Sequence, residues 1–154
     1  MGRLVPWTKK EAVLFQLGKS MRKLGYAEAF AVFGARLKNV RWSVCAEAAD
    51  GSLAVSFWDH RFDKQKGRTV RYKDDLSRWS GPGNRELRKR LRVAYSSGQV
   101  IRPVIAKTDD TDAVESGSDA SKVKKYFSVR EDWAGRVVEF EEPHFVIEFR
   151  CESE

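Results

Sequence analysis

Apolar and polar positions change their spacing several times along this chain, and each change marks an element. Leu14, Leu17, Met21 and Leu24 recur at intervals of three, four and three, which gathers them on one helical face. Thr8-Lys9-Lys10-Glu11 before them matches a capping box, and Gly25 after them supplies a left-handed stop, so a helix is predicted over 8–24. Phe30, Phe33 and Leu37 continue at helical spacing, but Gly34 weakens the pattern, and 26–37 reads as a helix or a buried irregular segment.

From Val40 the spacing drops to two. Val40, Trp42 and Val44 alternate with polar neighbours, Asp50-Gly51 forms a turn pair, and Leu53, Val55 and Phe57 alternate again, which predicts a β-hairpin. The next stretch, 59–80, is polar and basic with isolated aromatics. It predicts a long excursion holding one short strand at 69–72. Gly81-Pro82-Gly83 then turns the chain, Asn84 is a candidate N-cap, and Leu87, Leu91 and Ala94 form the buried stripe of a helix that stops near Gly98.

Residues 100–106 read as a strand, with Pro103 placing it at an edge or beside a bulge. Residues 108–121, TDDTDAVESGSDAS, have little to bury and predict an acidic loop. Three further strands are expected at 126–129, 136–140 and 145–150, separated by Trp133-Ala134-Gly135 and Glu142-Pro143. The expected architecture is α+β in a single domain: a strongly bent, mostly antiparallel sheet or partial β-barrel of six or seven strands, with two or three flanking helices.

Composition adds that the 154 residues suffice for one core. No apolar run approaches the roughly 20 residues that cross a bilayer, and the opening lacks a sustained apolar stretch, so a cytoplasmic protein with no membrane partner is expected. Cys45 and Cys151, without CxxC spacing, are expected to be separate thiols rather than a disulfide framework or zinc site.

Charge changes the picture more. Residues 1–107 carry 23 Lys and Arg against 9 Asp and Glu, whereas 108–154 carry 6 against 13. Between Arg61 and Arg92 there are 12 basic and 4 acidic residues, a surface suited to polyphosphate. The leading expectation is a non-enzymatic domain binding DNA or RNA. In it Arg61, Lys64, Lys66, Arg68, Arg71 and Arg78, with Arg85, Arg88, Lys89 and Arg92 on the helix after the Gly-Pro-Gly turn, neutralise phosphates. A phosphate is also expected at the start of that helix, Asn84–Glu86, where free amides and the helix dipole favour an anion.

Trp58, Phe62, Tyr72 and Trp79 interleave with these charges, as in sites that stack unpaired or flipped bases. Tyr72 or Trp79 is expected to touch a base, while Trp42 and Trp58, at strand positions, are assigned to the core. Bent sheet, basic excursion and aromatics together resemble in architecture the PUA-like folds that read modified bases, a resemblance that rests on no shared motif and implies a base-reading pocket.

No cofactor or metal is expected. The glycines do not form GxxxxGK followed by Ser or Thr, which disfavours ATP, and the Asp109–Asp112 run lacks calcium-loop spacing. Two other function classes stay open. One is a metal-dependent nuclease or other nucleic-acid-processing enzyme using Asp59, His60 or Asp63, although no Asp…Glu-x-Lys arrangement is visible. The other is a small interaction protein of mobile-element or phage type whose basic face meets an acidic protein. Asp109, Asp110, Asp112 and Glu115 are expected to compete with phosphate for the basic face.

Overall fold

The computed structural model describes residues 24–64, 67–117 and 123–151. The helix predicted over 8–24, with Thr8, Leu14, Leu17 and Met21, lies outside them except for Leu24, which bridges to Phe127. The elements in chain order are α1 (Tyr26–Ala31), β1 (Cys45–Glu47), β2 (Leu53–Trp58), β3 (Phe62–Lys64), β4 (Thr69–Asp75), α2 (Pro82–Ser97), β5 (Ile101–Thr108), α3 (Thr111–Glu115), β6 (Lys125–Val129), β7 (Trp133–Glu141) and β8 (His144–Cys151). The fold is α+β, and no described helix is long and apolar enough to cross a membrane.

Among the described residues, eight strands form one sheet in the order β1-β2-β5-β7-β8-β4-β3, with β6 pairing β5 beside that path. Every pairing is antiparallel except β2 with β5. Four steps separate β2 from β4, so a flat sheet would hold them about 19 Å apart. The rings of Phe57 on β2 and Tyr72 on β4 instead have centroids 4.5 Å apart, and Phe57 also meets Phe62 of β3 at 5.9 Å. The sheet is therefore strongly bent around an aromatic core of Phe57, Phe62, Tyr72, Trp133, Phe145 and Phe149. It is not closed, because β1 and β3 end the strand order without pairing with each other.

Helix α2 forms for the reasons its sequence suggests. Pro82 enters the first turn, where its missing N–H costs nothing, Leu87, Leu91 and Ala94 are buried at helical spacing, and Gly98 stops the helix at φ 71°. Asn84 is not the N-cap, which is Gly81. Asn84 is buried one turn in, and its amide donates to the carbonyls of Leu76 (2.7 Å) and Trp79 (3.0 Å), tying the helix to the chain before it.

Other expectations change for identifiable reasons. Residues 40–42 are turn, and the strand of the predicted hairpin begins only at Cys45. Asn39 draws the chain around, since its carbonyl accepts from Ser43 N–H (2.8 Å) and its side chain from Arg41 N–H (2.8 Å). The acidic stretch contains α3, capped by Asp110, whose side chain accepts from Ala113 N–H. Trp133-Ala134-Gly135 opens β7 rather than separating strands.

Pro103 lies in an interior strand. Leu53 N–H donates to Val100 C=O, which sets the register so that Pro103 nitrogen faces away from β2. On that side β5 pairs with β7 at Ile101 and with β6 only from Val104, so the missing N–H falls where one partner strand gives way to the next. Cys45 and Cys151 are free thiols, and burial, with Glu86 adding to it, pushes the Cys45 thiol up to about 12.

Candidate functional site

Three tryptophans from separate segments meet at one cavity of about 930 Å³. Trp42 comes from the Asn39–Ser43 turn, Trp58 from the last position of β2, and Trp79 from the link between the short 3-10 turn Leu76–Arg78 and α2. All three are half-buried. One half-buried indole is ordinary, since a ring this large is rarely buried completely; three lining one cavity from three segments is the most informative feature of the molecule.

The backbone at each tryptophan is held by its surroundings. Tyr26 donates its O–H to Ser43 C=O at 2.6 Å, fixing the Trp42 turn to α1. At Gly83 in the first turn of α2, an added Cβ would lie 2.1 Å from the Trp42 carbonyl oxygen, so glycine is what permits this approach. Trp58 N–H donates to the Tyr72 hydroxyl (3.2 Å), which donates to Asp74 Oδ2 (3.1 Å). Trp79 is anchored through its carbonyl by Asn84.

Asp74 organises the polar wall. Its side chain is 7% exposed, and Arg78 grips it with Nε at 3.1 Å and Nη2 at 2.7 Å while Arg61 Nη1 stands 3.2 Å away. Arg78 also donates to Val114 C=O at 3.0 Å, joining α3 to the cavity rim. Burial alone would lower the Arg78 guanidinium, but the hydrogen bond and charge of Asp74 more than offset it, and its pKa stays above the ordinary arginine value. Arg41, Arg78 and Lys125 against Asp74 leave the lining with a net positive charge.

Among the described residues expected to form a basic face, at least five are paired with carboxylates. Arg61 is paired with Glu115 and Asp74, Arg71 with Glu148, Arg78 with Asp74, and both Arg88 and Arg92 with Glu142. Folding brings the acidic last third back over the basic part. Register places Arg71 opposite Glu148, and the β7–β8 turn carries Glu142 to α2. Arg85 and Lys89 are exposed on α2, Arg68 is exposed before β4, and Lys66 and the Lys64 side chain lie outside the described residues.

Tyr72 is corrected outright: at 2% exposure it cannot stack on a base, and its pKa is raised well above the ordinary tyrosine value by burial and by Asp74. The phosphate expected at Asn84–Glu86 is also displaced, because Gly83 and Asn84 are buried against the Trp42 backbone and the preceding chain. Tyr72 and Trp79 both line the cavity, but of the two only Trp79 is left partly exposed, and Trp42 and Trp58, assigned to the core, join it there. Trp42 gave no signal of this in the sequence, where it sits in the apparent alternation of Val40, Trp42 and Val44; Trp58 is marked only by standing out of phase with Leu53, Val55 and Phe57 at the strand's end.

Among the described residues no three of His, Cys, Asp and Glu come together as a metal donor set. His60, a nuclease candidate, is held instead by Glu115 Oε2 at 2.7 Å. Comparison with family models, with curated proteins and with solved structures finds no match to this chain.

Proposed function

We propose that this chain is a nucleic-acid-binding domain that takes one base, unpaired or turned out of its stack, into the cavity walled by Trp42, Trp58 and Trp79. The observation that carries the reading is the meeting of three half-buried tryptophans from three segments at one cavity. A base is flat, has π-faces, and carries a polar edge that buried hydrogen-bonding groups can read. The analogy with PUA-like base readers belongs to this proposal, supported by the bent, open sheet.

Charge separates a base from the other common guest of an aromatic cage. A quaternary ammonium needs negative potential beside the rings, whereas here Asp74 is already engaged by two guanidiniums and Arg41 and Lys125 add positive charge. That balance suits a neutral ring on an anionic backbone. Affinity then rests on stacking more than on the broad basic face that the charge distribution suggested.

Titrating the protein with oligonucleotides while following tryptophan fluorescence tests the reading. Quenching is expected to saturate with single strands and with duplexes carrying one mismatched base. A fully paired duplex should bind about tenfold more weakly or worse, since extruding a paired base costs a few kcal/mol. Equal affinity for all three, or no quenching, overturns the reading.

A further inference from the structure

The strongest unexplained feature beside the cavity is a carboxylate held the way a phosphate would be. Glu115, at the end of α3, accepts Arg61 Nε on Oε2 (2.9 Å) and Arg61 Nη2 on Oε1 (2.5 Å), with His60 Nε2 also at Oε2 (2.7 Å). Resting on the base-reading proposal, we propose that His60 and Arg61 form the seat for the phosphate next to the recognised base, and that Glu115 occupies this seat until the nucleic acid displaces it.

Three observations lead there. First, the seat adjoins the cavity. The His60 ring lies 6.3 Å from that of Trp58, and Arg61 shares Asp74 with Arg78, both cavity residues. A phosphate one sugar away from a stacked base falls in this region.

Second, the seat is built independently of Glu115. Arg61 Nη1 donates to Lys73 C=O at 3.1 Å and faces Asp74, so the guanidinium keeps its orientation and leaves Nε and Nη2 aimed outward as a two-pronged fork. Such a fork fits the oxygens of a carboxylate or a phosphate alike. Third, the occupant is replaceable. The Glu115 side chain is 42% exposed, and partly solvated ion pairs of this kind are weak enough for a competing anion to exchange.

Glu115 is also deprotonated at neutral pH. Partial burial alone would raise its carboxyl, but hydrogen bonds from His60 and Arg61 outweigh that and hold it below the ordinary glutamate range. The sequence suggested that the whole acidic stretch competes with phosphate. The geometry narrows this to one residue, since of the four it is Glu115 that is paired with Arg61 and His60, while Asp110 caps α3. Glu115 directly follows Val114, whose carbonyl is held by Arg78, so the seat is joined through α3 to the rim of the base pocket. A strand offering a phosphate without a base that fits gains only the exchange of one anion for another. The competition thus favours ligands that engage both sites.

Two measurements test this. In the first, Glu115→Gln tightens oligonucleotide binding about fivefold at low salt, the equivalent of one weak ion pair no longer to be broken. In the Arg61→Gln background the same change gives no gain, because the competition has lost its object. A gain that persists without Arg61 marks a general charge effect and overturns the seat. In the second, inorganic phosphate is titrated at fixed pH while the two imidazoles, His60 and His144, are followed by NMR. In Glu115→Gln the His60 signals shift at lower phosphate than in the unaltered protein, and His144 serves as the reference. His60 signals no more responsive than those of His144 overturn the proposal.

The two failures are distinguishable. Phosphate that moves His60 in a protein binding no oligonucleotide leaves the seat standing and the base reading refuted. Oligonucleotides that quench the tryptophans without an Arg61-dependent gain from Glu115→Gln leave the base reading standing and the seat refuted.

Discussion

Trp58→Ala is expected to weaken single-strand binding by about tenfold to a hundredfold, the loss that follows removal of one stacking surface worth roughly 1–3 kcal/mol. The side chain stands at the end of β2, half-buried, and is not among the residues of the two cores. The strand beneath it is secured by Leu53, Val55 and Phe57, all buried, so the fold should survive the truncation. Trp58→Phe keeps a π-face and is expected to retain most of the affinity. Fluorescence anisotropy of a labelled oligonucleotide at constant salt separates the two. If alanine and phenylalanine are equally harmful, or both harmless, the ring does not stack.

Asp74→Ala is expected to cost about 3 kcal/mol or more of stability. It leaves the guanidiniums of Arg78 and Arg61, 12% and 20% exposed, without their shared partner, and breaking a buried pair by removing one member is worse than removing both. It also strands the Tyr72 hydroxyl, which connects Asp74 to the Trp58 backbone. Asp74→Asn preserves the shape and a carbonyl acceptor and is expected to lose less. In urea denaturation the alanine variant should show a midpoint lower by about 1–2 M. A change below about 1 kcal/mol would contradict the role assigned to this carboxylate.

The first expectation depends on a residue the sequence assigned to the core and the second on one it gave no role, and the reasons are physical. Alternation located β2 well, because Leu53, Val55 and Phe57 face a core that requires them, and the stripe Leu87, Leu91, Ala94 located α2 for the same reason. The same rule assigned Trp42 to the core, whereas Trp58 was placed there as an aromatic at a strand end although it is out of phase with Leu53, Val55 and Phe57. The turn at Asn39–Ser43 broke the apparent alternation of Val40, Trp42 and Val44 with local hydrogen bonds that outcompete strand pairing.

Charge was legible only as a sum. The basic region and the acidic last third are evident in the sequence, but the pairs Arg71–Glu148 and Arg88–Glu142 join residues 77 and 54 positions apart and exist only through strand register and the β7–β8 turn. Composition therefore suggested a broad cationic face where folding leaves paired arginines. The cavity was likewise invisible, because its three tryptophans are brought together by a sheet bent enough to set β2 against β4.

The indole N–H signals in two-dimensional NMR, recorded as a mixed-sequence single strand is added, test the central claim most directly. The account predicts that the signals of Trp42, Trp58 and Trp79 shift together and saturate together, while Trp133, in the core, stays in place. Binding that moves the amides of Arg85 and Lys89 on the outer side of α2 but leaves all three cavity indoles where they were would contradict it.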